Sequence, residues 1–164
     1  MQKIIYDPPR PILNDDIKQA AAVNFVRAHS NIQDEFDLVD LAYDIAEAHG
    51  TSTLMDGYEL AKKLEDHFNW QIDAQTVASL DDVSVYMRKR LREEERLWVT
   101  NHNIQPQFAI GTVVVCRHGG ILVGTITGIS EHEPATYLIQ IPGEPENSRA
   151  VVKFEDCWLE ESAA

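Results

Sequence analysis

The pattern of apolar residues changes character at Pro106. Before Pro106 the apolar residues recur every three or four positions, which is typical of helices with one buried face. From Phe108 onward the chain is rich in Val, Ile, Thr and Gly, with turn signals about every ten residues, which is typical of short antiparallel strands. The sequence therefore predicts an α+β protein, with an N-terminal helical bundle followed by a C-terminal small β-barrel.

The pattern divides the chain into three parts. Residues 1–13 contain Pro8, Pro9 and Pro11, which exclude regular structure and predict an extended arm. Residues 14–103 form the predicted acidic helical domain, and residues 107–161 the predicted barrel. The helices are expected over about 15–29, 34–48, 56–68, 73–80 and 82–101. The strands are expected over about 111–117, 121–129, 136–141, 149–154 and 157–160.

The final third of the chain, residues 108–160, resembles a known group of small barrels. The segments that carry the resemblance are Gly111-Thr-Val-Val-Val-Cys, Gly120-Ile-Leu-Val-Gly-Thr-Ile-Thr-Gly-Ile, Tyr137-Leu-Ile-Gln and Val151-Val-Lys-Phe-Glu-Asp. They are similar to the SH3-like barrels of the KOW and Tudor type. The resemblance implies five short strands and loops that bind proteins or nucleic acids, and a fold alone does not fix a function.

A second stretch, residues 56–87, resembles part of another family. Its segment Tyr58-Glu-Leu-Ala-Lys-Lys-Leu-Glu-Asp-His-Phe-Asn-Trp-Gln-Ile-Asp is similar to the second helix and following turn of acyl carrier proteins. That family carries phosphopantetheine on a serine just before this helix, and the matching position here is Leu54. Ser52 lies nearby but needs an insertion to match. The resemblance therefore implies at most a degenerate acyl-carrier-like protein.

Most of the net charge of −13 comes from one third of the chain. Residues 31–82 contain thirteen carboxylates and only two basic residues, Lys62 and Lys63. Such a field repels nucleic-acid phosphates and attracts basic surfaces. We therefore expect a protein partner with a basic surface, and direct nucleic-acid binding through this region is disfavoured.

Four carboxylates of the second helix, Asp37, Asp40, Asp44 and Glu47, are spaced three, four and three residues apart. They share one helix face, which we call the acidic strip, while Leu38, Leu41, Ala42 and Ile45 supply the buried face. Like charges at this spacing cost a few tenths of a kcal/mol per pair. The strip is therefore interpreted either as a solvated helix face or as a docking surface for a basic partner.

The segment 88–96 is the one basic cluster of the sequence, and it supports an alternative function. Its spacing predicts ion pairs from Lys89 to Glu93 and from Arg90 to Glu94. The alternative is a nucleic-acid-associated adaptor that binds through the barrel loops and this cluster. A homodimer that pairs the cluster with the acidic strip is a further alternative. The candidate secondary binding residues are Arg88, Lys89, Arg92, His118 and Trp158.

Catalytic signatures are missing from the sequence. It contains no GxSxG, HExxH, Walker-type or GxGxxG motif, and its six histidines are scattered. We expect no enzyme activity, no cofactor and no metal.

The sequence predicts a cytoplasmic location. It has two isolated cysteines, no apolar leader and no apolar run long enough for a membrane span. The expected function is that of a non-enzymatic acidic binding protein, an inhibitor or regulator of the kind that phages or mobile elements carry.

Overall fold

The computed structural model describes residues 5–30, 34–50 and 55–159. These residues form five α-helices, followed by five strands and one 3-10 turn. The helices are α1 (Asp15–His29), α2 (Glu35–His49), α3 (Gly57–Phe68), α4 (Ala74–Leu80) and α5 (Val83–Asn101). The predicted order of helices followed by strands is confirmed, and the protein belongs to the α+β class.

Four of the helices begin at side chains that cap them. Asn14, Asp34, Asp56 and Asp73 each accept a hydrogen bond from a backbone N–H of the first turn that follows. Asp56 accepts from the amide of Glu59 at 2.8 Å, as expected of a capping residue three positions ahead. These bonds satisfy N–H groups that have no partner within the helix, which is why the helices begin where the sequence places a short polar residue.

The strands β1 (Val113–Arg117), β2 (Ile121–Ile129), β3 (Thr136–Gln140), β4 (Ala150–Lys153) and β5 (Cys157–Trp158) form one antiparallel sheet. Their order is β4-β3-β2-β1-β5, and the 3-10 turn Phe154–Asp156 connects β4 to β5. In the described part of the chain no pairing joins the edge strands β4 and β5. The sheet is therefore open, and the predicted closed barrel is not confirmed. β5 is only two residues long and pairs only with Val115 and Cys116 of β1.

The chain divides into two compact units, each with its own apolar core. The helical unit comprises Pro11–Glu94, and its core includes Ala22, Ile45, Leu60, Leu64 and Met87. The sheet unit combines Met1–Arg10 with Glu95–Ala164, and its core includes Val114, Ile126, Tyr137, Ile139 and Phe154.

The described residues 5–10 of the N-terminal arm belong to the sheet unit, whereas residues 11–13 belong to the helical unit. The Tyr6 hydroxyl donates to the carbonyl of Gln105 at 3.0 Å, and the Trp98 indole N–H donates to the carbonyl of Pro8 at 2.9 Å. Burial raises the pKa of Tyr6 to about 12, so this hydroxyl keeps its proton. Residues 5–13 contain no helix or strand, and Tyr6 and Pro8 are held by these specific hydrogen bonds.

The side chain of Arg10 anchors the end of the arm. Its guanidinium pairs with Glu155 at 2.6 Å and Glu95 at 3.2 Å, and it donates to the carbonyls of Pro134 and Ala135. It also lies 5.1 Å from the ring centre of Trp98. These contacts join Arg10 to residues of the sheet unit that lie 85 to 145 positions later in the chain.

Candidate functional site

The acidic strip forms on α2, as the spacing predicts. Asp34 caps this helix by accepting from the amide of Phe36 at 2.8 Å, and the helix buries Leu38, Ala42 and Ile45 on one side. Asp37, Asp40 and Glu47 are exposed on the other side. Three of the four predicted carboxylates are therefore exposed to solvent.

Asp44 has a different environment from the rest of the strip. It is half-buried, and its Oδ2 accepts a hydrogen bond from the indole Nε1 of Trp70 at 2.8 Å. Trp70 itself packs against the helical core. Asp44 therefore fixes the orientation of an indole ring, a role that its spacing in the sequence did not indicate.

The exposed face of α2 also carries large apolar side chains. Phe36 is 84% exposed, Tyr43 55% and Val39 42%. Positions three and seven residues apart share a helix face, so these three side chains form a second stripe beside Asp40 and Glu47. The sequence reasoning missed them because it followed only the buried apolar stripe and the carboxylates. The signal was present in the spacing of 36, 39 and 43.

The exposed carboxylates of the acidic strip are Asp37, Asp40 and Glu47. Among the residues that the structure describes, no ion pair involves Asp37, Asp40 or Glu47. On the same helix, Glu35 is paired with Arg27 of α1 at 2.7 Å. The face therefore presents three negative charges that no described basic residue pairs with, together with two exposed aromatic rings.

The basic cluster on α5 is partly neutralised by its own acidic residues. Arg90 pairs with Glu94 at 2.5 Å, as the sequence predicts, and also with Glu93 at 3.5 Å. Glu93, which the spacing assigns to Lys89, thus contacts Arg90. Arg88 is exposed and its Nε donates to the carbonyl of Ser84 at 3.2 Å. Lys89 is exposed and Arg92 is half-buried.

The remaining secondary candidates lie in the sheet unit. His118 is exposed in the turn between β1 and β2. Trp158 is half-buried on β5, across from Val115. Cys116 of β1 is buried, and burial raises the pKa of its thiol, which disfavours the thiolate form. His118 and Trp158 belong to the sheet unit, whereas the acidic strip belongs to the helical unit.

Other site types find no support within residues 5–30, 34–50 and 55–159. No group of three His, Cys, Asp or Glu side chains there could hold a metal ion. None of the helices in these ranges combines the length and the apolar character that a membrane span needs. Ser52 and Leu54, which bear on the acyl-carrier resemblance, lie outside the described residues.

Comparisons with known proteins identify no relative. No family model matches the chain, and neither a curated protein nor a solved structure matches it. The functional argument therefore depends on the geometry of the chain itself.

Proposed function

We propose that this protein is a non-enzymatic binding protein whose helix α2 docks on a basic surface of a protein partner. The observation that carries the proposal is the exposed face of α2, where Phe36 and Tyr43 lie beside three unpaired carboxylates. Aromatic residues are enriched at the energetic centres of protein interfaces, and charged rims guide the approach of the partner.

The two features of the face have different tasks. The strip carboxylates accelerate association with a positively charged surface, and this effect weakens as salt screens the charges. The rings of Phe36 and Tyr43 supply contact area that slows dissociation once they are covered. A basic surface that normally binds nucleic acid fits this combination, so the protein would act as an inhibitor or regulator of its partner. We place it in the cytoplasm and among the small acidic proteins that phages or mobile elements carry.

The test compares a strip variant with a matched control after a partner has been captured from the native host. The strip variant is Asp37→Asn, Asp40→Asn and Glu47→Gln. The control is Glu59→Gln, Glu65→Gln and Asp66→Asn, which removes three exposed carboxylates from α3. Both variants lose three negative charges, so they differ only in the position of the removed carboxylates.

We expect the strip variant to associate with the purified partner at least about tenfold more slowly at low salt. Its association rate should also depend less on salt, while the control stays close to wild type. Equal losses in both variants would show that net charge alone matters. Wild-type binding by both would leave the strip as solvated surface and refute the proposal.

A second comparison tests the aromatic stripe. Phe36→Ser and Tyr43→Ser should speed dissociation, and each change should cost about 2 kcal/mol if the ring is a central contact. Tyr58 of α3 is also exposed, at 64%, so Tyr58→Ser is the matched control. If the three variants dissociate alike, the aromatic stripe is not part of the interface.

The nucleic-acid adaptor is the second candidate, and the exposed side chains of Arg88 and Lys89 favour it. A salt-dependent gel shift of RNA or DNA with the wild-type protein, lost in Arg88→Gln/Lys89→Gln, would support the adaptor in place of the protein binder.

A further inference from the structure

The helical unit contains a cavity of about 320 Å³ that the proposed docking face does not include. Its floor is apolar, with Phe25, Ile45 and Leu80 all buried. Trp70 lines it together with Thr76 and Asp73. The volume lies at the lower end of the range for small-ligand sites, about 300–1,000 Å³. The cavity suits a single long side chain.

We propose that this cavity receives an arginine side chain of the protein partner. The inference rests on the proposed function, because it assumes a partner with a basic surface. It adds a specific anchor point to an interaction that is otherwise argued from long-range charge and exposed rings.

The electrostatic character of the cavity favours a cation. Among the described residues that line it, Asp73 is the one carboxylate and none is a lysine or arginine. The Asp73 Oδ1 accepts from the Thr76 amide at 2.7 Å and from the Thr76 hydroxyl at 2.8 Å. These hydrogen bonds lower the pKa of Asp73 below its ordinary value of 3.8, so the group stays ionised under physiological conditions. His29 lies at the rim, with its Nε2 3.3 Å from Asp82.

The cavity adjoins the acidic strip through helix α2. Leu41 and Ile45 of α2 line it. Asp37 precedes Leu41 by four residues and Asp44 follows it by three, so both carboxylates are helical neighbours of this lining residue. Asp44 in addition holds the indole of Trp70 at 2.8 Å. A cation that enters the cavity therefore lies within the field of the strip.

The lining fits arginine better than lysine or a purely apolar side chain. The aliphatic part of arginine can cover Phe25, Ile45 and Leu80, as long charged side chains do on apolar surfaces. A guanidinium is more weakly hydrated than an ammonium, stacks on aromatic rings and presents five N–H donors. The Asp73 carboxylate and the Thr76 and Ser79 hydroxyl oxygens offer acceptors at the rim. An apolar side chain would leave these acceptors without a donor from the partner.

The experiment titrates the full chain with N-acetyl-L-arginine methylamide and follows the ¹H–¹⁵N NMR signals. Parallel titrations use the corresponding lysine and norleucine methylamides. We expect saturable shifts of the Trp70 indole N–H and the Thr76 amide with the arginine probe, and weaker binding of the other two. Norleucine binding as tight as arginine binding, or no shift at Trp70, would overturn the proposal.

A matched pair of variants tests the charge of Asp73. Asp73→Asn removes the charge but keeps an oxygen that can cap α4, because Asn and Asp are comparable caps. Asp56→Asn makes the same change at the cap of α3, away from the cavity. Because Asp73 is exposed, Asp73→Asn should weaken arginine binding about twofold to fivefold, the loss expected for an exposed charge pair. Asp56→Asn should leave it unchanged, and equal effects of the two variants would contradict the assignment.

Failure of this inference can be distinguished from failure of the proposed function. If the strip variant loses the partner and the arginine probe does not bind, the docking face is supported and the cavity assignment is overturned. An arginine probe that binds with the expected selectivity, together with a partner indifferent to the strip variant, would support the cavity and refute the docking face.

Discussion

Replacing Arg10 with methionine should strongly destabilise the sheet unit. The Arg10 side chain is 6% exposed, and its ion-pair partners Glu95 and Glu155 are 10% and 18% exposed. Nε and Nη2 contact the two carboxylate oxygens of Glu155 at 2.6 and 3.1 Å, which is a bidentate pair. Methionine fills much of the space of the aliphatic stem but leaves both carboxylates without this cation.

The expected cost follows from the burial of the two abandoned charges. Removing one partner of a buried ion pair typically costs about 3–5 kcal/mol, because the remaining charge stays away from water. The lost contact with Trp98 adds to this cost. We therefore expect the free energy of unfolding of the sheet unit to fall by about 3–5 kcal/mol.

Urea unfolding followed by tryptophan fluorescence measures this change. Trp98 and Trp158 belong to the sheet unit and Trp70 to the helical unit. A Trp70→Phe background therefore restricts the signal to the sheet unit. With a urea dependence of about 1–2 kcal/mol per M, a loss of about 3–5 kcal/mol should lower the midpoint by about 1.5 M or more. The helical unit, followed by circular dichroism at 222 nm, should keep its own transition.

The double variant Arg10→Met/Glu155→Gln provides the control. It removes one abandoned charge, so it should recover part of the lost stability relative to Arg10→Met alone. An exposed ion pair contributes less than about 1 kcal/mol. If Arg10→Met lowers the free energy of unfolding by no more than that, the reasoning that Arg10 anchors the arm in the sheet unit is refuted.

Three further predictions concern buried groups and a tight glycine. Burial lowers the pKa of His49 below its ordinary value of 6.5, so the unfolded chain takes up this proton first as the pH falls. The contribution of the neutral ring to the free energy of unfolding is thus complete above pH 6.5 and falls below it, by up to about 1.4 kcal/mol per pH unit. His49→Gln should therefore make the urea midpoint depend less on pH between pH 7 and 5. Cys116 and Cys157 are fully buried, so Ellman's reagent should label them only as fast as the sheet unit opens, and immediate labelling in buffer would contradict their burial. Gly57→Ala should destabilise the helical unit by about 1–3 kcal/mol in urea titrations. The added Cβ would lie 2.5 Å from the carbonyl oxygen of Val77 and 2.6 Å from the amide nitrogen of Asp81, which is too close. An unchanged urea midpoint would refute this contact.

The sequence predicted the helices well because their signals are local. Apolar residues recur every three or four positions along the helical part, and the caps Asn14, Asp34, Asp56 and Asp73 are each bonded to a backbone amide within three residues. The strands were also found, because Val- and Ile-rich runs alternate with Gly- and Pro-containing turns. The closure of the sheet was not predictable in this way, because it depends on pairing between distant edge strands.

Contacts between distant residues account for what the sequence reasoning missed. Arg10 and Glu155 are 145 positions apart, and Asp44 and Trp70 are 26 apart. No local pattern links such residues, so the arm was predicted only as extended and Asp44 only as one carboxylate of the strip. The exposure of Phe36 and Tyr43 depends on which neighbouring elements leave that side of α2 uncovered, and this is decided by tertiary packing.

The solvent-facing side of α2 is costly for the isolated protein in two independent ways. Asp37, Asp40 and Glu47 repel one another, and no described ion pair compensates them, although a lysine at one neighbouring position would do so. Phe36 and Tyr43 keep apolar rings in water, where they add little to the stability of the fold. A single event removes both costs, because a basic surface that covers the rings also neutralises the carboxylates. The coincidence of the two features on one helix face therefore favours a docking surface over a solvated helix.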